Sequence, residues 1–276
     1  MAMMPLHRIR PAILALAAVG IVALLGACAT ARNYPDPTGP RFHGEFAGQA
    51  AVPTIKVVTL NVKYSRRIAT VVQLLREVEA LRNADVVALQ EMDDAGTEAI
   101  ACALALNYVY YPGALHPKTG KNFGNALLTR WPIEADAKLV LPHPGKFRKM
   151  IRIAVAATIR IRDVPVRCYS LHLETPVAVN ADERRDQTQA VIKDAEPFPR
   201  VIVAGDFNNT RVVAEAFQKD GYGWATRDVG RTISRFAWDH VFVRGLRLRD
   251  FASAAVVAES RGVSDHHPVW VELVLE

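Results

Sequence analysis

The sequence predicts one α+β domain in which two β-sheets are sandwiched between helices. Three observations predict this fold class. Predicted strands outnumber predicted helices, and the helices fall between groups of strands. Half of the 276 residues are hydrophobic, which supplies a substantial core. The sequence contains no internal repeat and no low-complexity block, which argues against a solenoid or a fibrous protein.

Residues 1–27 are predicted to form a secretory signal peptide. A short basic region over residues 7–10 precedes an uncharged, mostly aliphatic run from Pro11 to Ala27. This run is short for a membrane span, which needs about 20 apolar residues. It ends in Leu25-Gly26-Ala27-Cys28, which resembles the bacterial lipobox, whose cysteine is lipidated and becomes the first residue of the mature protein.

The resemblance to a lipobox implies an exported lipoprotein that is anchored to a membrane through Cys28. If the source is Gram-negative, Ala29 in the next position implies the outer membrane, facing the periplasm. Two alternatives stay open. Ordinary signal cleavage after Ala29 or Ala31 gives a secreted protein, because each residue ends an Ala-x-Ala triplet, and an uncleaved signal gives a membrane anchor.

Residues 28–53 are predicted to be a lipidated cysteine followed by a flexible linker, because proline, glycine and asparagine recur there without a hydrophobic period. The domain is predicted over residues 54–276. Its two cysteines, Cys102 and Cys168, lie in apolar stretches, so buried thiols are expected, although one disulfide stays possible in an oxidising compartment.

The pattern becomes regular from residue 54. Ile55 to Leu60 is a β-branched strand, and apolar residues from Ile68 to Leu81 recur at helical spacing. A buried strand follows over residues 85–90. Two further helices are predicted over residues 95–106 and 181–195. The remaining predicted strands cover residues 108–111, 125–129, 151–161, 164–173, 200–205, 237–243 and 268–275.

Six short segments place polar side chains at the ends of predicted strands. Taken singly, each has an ordinary explanation, such as a solvated acid, a turn or a core histidine. Function, however, often concentrates where loops meet a rigid scaffold. The segments are Thr59-Leu60-Asn61, Leu89-Gln90-Glu91, Ser170-Leu171-His172-Leu173-Glu174, Val203-Ala204-Gly205-Asp206-Phe207-Asn208, Trp238-Asp239-His240-Val241 and Ser264-Asp265-His266-His267-Pro268.

In this order, the six segments resemble the endonuclease/exonuclease/phosphatase superfamily, which has the deoxyribonuclease-I-like fold. The resemblance covers about residues 54–275, and the segment from Gly124 to Ile133 adds to it. It implies a four-layer α/β/β/α sandwich of two mainly antiparallel sheets flanked by helices, with the site at one edge. It also implies hydrolysis of phosphate esters supported by Mg²⁺ or Mn²⁺.

Oxygen-bearing side chains in these segments are candidate ligands for that metal. Hard oxygen ligands hold Mg²⁺ well, and Mg²⁺ can neutralise a phosphate and its leaving oxygen. Glu91 is the candidate for the main carboxylate ligand, with Asn61 beside it as a neutral oxygen ligand. Asp265 is expected to complete or bridge the site.

Five other residues are candidates for catalysis. The resemblance assigns Asp206 to orient or deprotonate the attacking water, and Asn208 to contact the phosphate or position that water. His266 is the candidate for proton transfer, because imidazole titrates near neutral pH, and the resemblance supplies Asp239 as its orienting carboxylate. His172 is expected to donate to a non-bridging phosphate oxygen.

Other charged residues near the segments have simpler interpretations. The basic cluster over residues 146–152 is expected to face solvent, although it could also meet phosphates. At most one of Arg184 and Arg185 can face the site from the predicted helix. His240 and His267 are expected to be structural or to support their neighbours.

Three classes of function are compatible with these features. The simplest is a phosphodiesterase of the nuclease type, the second is a phospholipid phosphodiesterase or phosphatase, and the third is a non-catalytic binding lipoprotein. The third is the weakest, because every expected polar position is filled. The formal charge of +6 suits an anionic substrate without requiring one. A monomer is expected, with a phosphodiester, including nucleic acid, as substrate and a membrane contacted through the N-terminal lipid.

Overall fold

The computed structural model describes residues 30–46, 54–161 and 163–275. The predicted signal peptide and Cys28 lie outside the described residues, as does part of the predicted linker, residues 47–53. Among the helices that are described, none is both long enough and apolar enough to span a bilayer.

The described residues form fifteen strands and four helices. The helices are α1 (Ile68–Glu77), α2 (Asp94–Leu104), α3 (Ala181–Ala195) and α4 (Arg211–Lys219). The strands are β1 (Arg32–Asn33), β2 (Phe42–Gly44), β3 (Ile55–Asn61), β4 (Val86–Met92), β5 (Asn107–Leu115), β6 (Asn122–Thr129), β7 (Ile133–Val140), β8 (Ile153–Ile161), β9 (Val164–His172), β10 (Val201–Asp206), β11 (Gly223–Trp224), β12 (Asp239–Arg244), β13 (Leu246–Leu248), β14 (Ala254–Val256) and β15 (Val269–Leu275).

The strands form two sheets. Within the described residues, one sheet has nine strands, whose main path runs β1-β5-β6-β4-β3-β15-β13, with β2 paired to β5 and β14 paired to β15. The other has six strands, in the order β11-β12-β10-β9-β8-β7. Both sheets are mixed, because β3 pairs with β4 and β9 with β10 in parallel, while the other pairs are antiparallel.

Three apolar cores separate the four layers. Alternate residues of a strand point to opposite faces, so Val57 packs between the two sheets while Val58 packs under α1 and α2. In the second sheet, Ala204 faces the first sheet and Val203 packs under α3 and α4. Each sheet is therefore buried on both faces, and the predicted fold class is confirmed.

Most of the predicted elements are present, with ends that differ by a few residues. The sequence pattern did not predict β7, α4 or the short strands β11, β13 and β14. The outer strand β7 is mostly half-buried and carries Glu134, Asp136 and Lys138, so its apolar pattern is weak. Of the two cysteines, Cys168 is buried as predicted, whereas Cys102 is exposed, and both are free thiols.

Residues 30–46 correct the prediction of a flexible linker. They run along the edge of the first sheet, where β1 and β2 both pair with β5. Side chains reinforce this pairing, because Arg41 forms an ion pair with Asp136 at 2.6 Å, and Lys138 donates hydrogen bonds to backbone carbonyl groups of the segment. The many turn-forming residues of the segment therefore shape a strap that is part of the domain.

Candidate active site

The ends of several strands bring the predicted site residues to one edge of both sheets. Since β3 and β4 are parallel, Asn61 lies beside Gln90, the residue before Glu91. In the second sheet, Asp206 pairs in register with His172 on the parallel strand β9. It also pairs with Asp239 on the antiparallel strand β12.

A β-bulge turns Glu91 toward this edge. Gln90 pairs with Asn125 and Met92 with Gly124, so Glu91 is an extra residue in the ladder. Its φ of 59° lies in the left-handed region, which is unfavourable for a residue other than glycine. Its Oε1 atom accepts a hydrogen bond from Nδ2 of Asn61 at 3.3 Å.

Asp206 lies at the centre of the cluster. Its Oδ2 atom accepts a hydrogen bond from Nδ2 of Asn61 at 3.0 Å. The same oxygen lies 3.5 Å from Nε2 of His172 and 3.6 Å from Nε2 of His266. On the far side of its ring, Nδ1 of His266 is 2.8 Å from Oδ2 of Asp239. All of these side chains are buried.

The two histidines beside Asp206 differ in charge. Burial would lower the pKa of His266, but the attraction of Asp239 and Asp206 outweighs it and raises the pKa to about 10. Burial lowers the pKa of His172 well below its ordinary value, and the positive charges of Arg152 and His266 add to this. Burial also raises the pKa of Asp206 to about 6, against the attraction of His266.

Asn208 lies in a turn just beyond the strand that carries Asp206. The strand ends at Asp206, and Asn208 has a φ of 49°. Its backbone N–H donates to Oδ1 of Asp206 at 2.9 Å, and its Nδ2 donates to the carbonyl of Leu173 at 3.0 Å. Asn208 therefore fixes the carboxylate of Asp206, while its predicted contact with phosphate stays a prediction.

Asp265 lies at the rim of the site, outside the buried cluster. Its carboxylate is half exposed and forms an ion pair with Nζ of Lys63 at 3.0 Å. Burial would raise the pKa of Asp265, but the hydrogen bond from Lys63 lowers it below its ordinary value. Lys63 lies two residues after the end of β3 and begins three consecutive residues with positive φ.

Arg152 and Glu174 are functional candidates that sequence analysis missed. Arg152, placed among solvent-facing basic residues, is instead 8% exposed, and its Nη2 lies 3.0 Å from Oε1 of Glu174. Its Nη1 lies 3.1 and 3.2 Å from the two ring nitrogens of His172. The sequence contains one sign that Glu174 belongs to the site, because it lies two residues after His172 in the same segment.

The other charged residues behave as predicted. Arg184 is buried and donates to the carbonyl of Glu174, whereas Arg185 is exposed and pairs with Asp182 on the same helix. His240 is buried and structural, because its ring contacts the carbonyl of Ala237 and the indole N–H of Trp224.

Two groups of side chains could hold a metal ion. Asp206, Asp239 and His266 offer ligand atoms within 4.8 Å of one another. In this group Nδ1 of His266 is already 2.8 Å from Asp239, so a metal would bind at Nε2 and displace any proton there. Glu91 is the other candidate, because its buried Oε2 atom, like Oδ1 of Asp239, has no hydrogen-bond partner among the described residues. Asn61 turns its amide nitrogen toward Glu91, and its amide oxygen accepts from the backbone N–H of Lys63 at 3.0 Å, so the amide would have to turn over to offer that oxygen to a metal. Carboxylate and amide oxygens suit Mg²⁺ or Mn²⁺.

Comparisons with known proteins agree with this fold. The model of the endonuclease/exonuclease/phosphatase family matches residues 58–266. The chain belongs to this family. The matched region includes all of the predicted site residues, from Asn61 to His266. No curated protein matches the sequence.

Several solved structures share the fold at low sequence identity. A family member from Bacteroides vulgatus is 18% identical, with a TM-score of 0.66 over 81% of this chain and 99% of its own. TDP2 of D. rerio, in complex with a single-strand DNA product, is 18% identical, with a TM-score of 0.63 over 80% and 99%. Sphingomyelinase C of Streptomyces griseocarneus is 18% identical, with a TM-score of 0.59 over 80% and 99%.

Proposed function

We propose that the protein is a divalent-metal-dependent phosphodiesterase in which water attacks the phosphorus atom. The observation that carries this proposal is the position of Asp206. Its buried carboxylate oxygen lies between the amide of Asn61 and the ring of His266, and Asp239 holds the opposite side of that ring. One site therefore holds a proton acceptor and a charged proton donor, and hydrolysis of a phosphate ester can use both.

In the proposed step, Asp206 accepts a proton from water as the water oxygen bonds to phosphorus. With a pKa of about 6, its carboxylate is mostly ionised at neutral pH. The bond between phosphorus and the leaving oxygen then breaks, and Nε2 of His266 protonates that oxygen. The products are a phosphomonoester and an alcohol, and proton exchange with solvent restores both side chains.

Neighbouring side chains would stabilise the charge that builds up on phosphate. Neutral His172 has one ring N–H to donate to a non-bridging oxygen, and the buried guanidinium of Arg152 adds a positive charge beside it. Glu91, Asn61 and, from the rim, Asp265 would hold Mg²⁺ or Mn²⁺. When bound, such an ion neutralises phosphate charge and stabilises the leaving oxygen.

Two classes of substrate compete. Sequence analysis favoured a nuclease slightly, and related folds include TDP2 with DNA and a sphingomyelinase. One observation favours a phospholipid for this chain. The apolar side chains of Phe147 and Val177 are largely exposed in two loops at the mouth of the site.

We also propose that the protein is exported and tethered to a membrane through Cys28, as the lipobox-like segment predicts.

The proposed activity is tested with the purified full chain on a soluble chromogenic phosphodiester and on the corresponding monoester. We expect the diester to be hydrolysed, chelation to abolish the activity, and Mg²⁺ or Mn²⁺ to restore it. Glu91→Gln should weaken Mn²⁺ binding, read by the electron paramagnetic resonance of the ion, while Asp220→Asn, at an exposed position, should not. Full activity in excess chelator would refute the metal assignment, and failure to hydrolyse diesters would refute the function.

A further inference from the structure

Two loops form one wall at the mouth of the candidate site. The first, residues 143–150, precedes β8, and the second, residues 175–178, follows β9. The backbone N–H of Lys146 donates to the carbonyl of Ala178 at 3.2 Å, which ties the two loops together. A Cβ atom on Gly145 would lie 2.6 Å from Oε2 of Glu174, the partner of Arg152. The loops therefore touch the side chains that support His172.

The tips of these loops expose large apolar side chains. Phe147 is 71% exposed and Val177 is 75% exposed. They flank the hydrogen bond between Lys146 and Ala178, so they project from neighbouring points on the surface. A further exposed residue, Phe251 at 103%, lies beyond β13 on the opposite edge of the first sheet. Clustered apolar exposure beside a site marks an interaction surface better than isolated exposure does.

Basic side chains flank Phe147 in the first loop, and one of them, Lys146, lies 3.9 Å from Glu183 in the first turn of α3. The sequence from Leu141 to Ile151 contains Lys146, Arg148 and Lys149 but no acidic residue. Lys146 and Lys149 are exposed, and Arg148 is half-buried. Apolar residues next to basic residues suit a lipid surface, where the apolar groups enter the acyl boundary and the bases meet anionic headgroups.

The N-terminal strap ends at this same wall. The backbone N–H of Ala31 donates to the carbonyl of Arg148 at 2.8 Å, and Asn33 bonds to the backbone of Lys149 and Ile151 at 2.6 and 3.1 Å. Cys28 precedes Ala31 by three residues, which span at most roughly 10 Å of extended chain. A membrane anchor at Cys28 would therefore hold the two loops against the bilayer.

From these observations we infer that residues 146–149 and 176–177 form a membrane-contact surface that docks on a phospholipid bilayer containing anionic lipid. Docking turns the mouth of the site toward the headgroups, so that headgroup phosphodiesters are the substrates within reach. This inference rests on the proposed tether and deepens the proposed function.

The position of the surface is tested by fluorescence on the full chain, purified from membranes and reconstituted into vesicles of phosphatidylcholine and phosphatidylglycerol. An environment-sensitive dye is attached at Val177→Cys, or at Phe251→Cys as the matched control, in a Cys102→Ser background because Cys102 is an exposed thiol. We expect the dye at position 177 to shift to the blue and to be shielded from aqueous iodide, and the dye at position 251 to stay accessible. Equal quenching at both positions, or no association with vesicles, would overturn the inference.

Activity supplies a second test. Phe147→Ser combined with Val177→Ser should lower the ratio of hydrolysis of a vesicle-borne phospholipid to that of a soluble diester by about tenfold or more, because two apolar side chains lose their burial. Phe251→Ser should leave the ratio unchanged. If the double variant instead lowered only the hydrolysis of a single-stranded oligonucleotide, the surface would serve nucleic acid, and the inference would be wrong.

These two tests separate the inference from the proposed function. Shielding at position 177 in a protein that hydrolyses no diester would refute the function and leave the surface in place. Hydrolysis of soluble diesters without shielding at position 177 would refute the surface and leave the function in place.

Discussion

His172 and His266 face the same carboxylate oxygen of Asp206, at 3.5 and 3.6 Å, and yet their pKa values shift in opposite directions. Burial lowers the pKa of both rings, and their other neighbours decide the outcome. The attraction of Asp239 and Asp206 outweighs burial and raises the pKa of His266 to about 10, whereas Arg152 adds to the effect of burial on His172, whose pKa is lowered. Two similar rings therefore acquire two roles: a proton donor and a neutral hydrogen-bond donor.

The largest expected effect comes from removing the carboxylate that the two histidines share. Asp206→Asn keeps the shape but removes the proton acceptor, so turnover on a soluble diester should fall by about 10²–10⁴-fold. The thermal midpoint should change little by comparison, because the amide can keep the contact with the backbone of Asn208. Near-normal turnover in this variant would show that Asp206 does not accept the proton.

The pair of Asp239 and His266 should behave as one catalytic unit. Their 2.8 Å contact fixes the ring and keeps it charged, so His266→Ala and Asp239→Asn should each reduce turnover strongly, by about 10²-fold or more. The double variant should be little worse than His266→Ala alone, because residues that act together are not additive. Turnover and melting temperature measured for all three variants test this, and fully multiplicative losses would contradict it.

The neighbours of His172 should matter for stability as well as for catalysis. Arg152→Met leaves Glu174 buried without its ion-pair partner, which should cost about 3–5 kcal/mol in the free energy of unfolding. Adding Glu174→Gln should recover much of that stability without restoring turnover, because the charge beside His172 is still absent.

Chemical denaturation and turnover measured on the same preparations separate these two effects. The matched control is Arg160→Met, which removes an exposed ion pair with Glu134 and should lower stability much less. If the double variant regained full activity, Arg152 would have only a structural role.

His240 extends the comparison to a third buried histidine. It follows Asp239 in the chain, but its ring contacts Ala237 and Trp224 instead. Burial lowers its pKa to about 4, although Asp239 opposes the shift. The unfolded chain therefore binds the proton more readily, so the stability contributed by neutral His240 is complete above about pH 6.5 and is lost as the pH falls toward 4. The loss should approach about 3 kcal/mol.

The free energy of unfolding, measured from pH 4 to pH 7 for the wild type and for His240→Gln, tests this difference. We expect a shallower slope in the variant, whose side chain has no proton to gain in this range. His43→Gln, at an exposed position, is the control. Identical slopes in all three proteins would show that His240 is not held neutral by the fold.

The positions of several site residues could be predicted because the local sequence pattern determines them. Asn61, Glu91, His172 and Asp206 follow apolar strands that the sequence marks clearly, and parallel pairing then brings the strand ends together. The position of Arg152 could not be predicted in this way. A basic residue between two isoleucines gives the same sequence pattern whether its side chain faces solvent or pairs with a buried acid.

The strap shows a second limit of local pattern. Proline and glycine predict a chain without its own hydrophobic period, and residues 30–46 do lack one. Their strands exist because the edge of β5, about 65–85 residues further along, offers unpaired backbone groups. Only tertiary structure reveals such a partner. The turn at Asn208 likewise depends on a partner that is distant in the sequence, because its side chain donates to the carbonyl of Leu173.

Hydrolysis of a soluble phosphodiester in water enriched with heavy oxygen tests the central claim most directly. If water attacks phosphorus with Asp206 as proton acceptor, mass spectrometry should find the heavy oxygen in the phosphomonoester and none in the alcohol. Asp206→Asn should slow the formation of the labelled product by about 10²–10⁴-fold. Label in the alcohol, or equal labelled product from Asp206→Asn, would contradict the account.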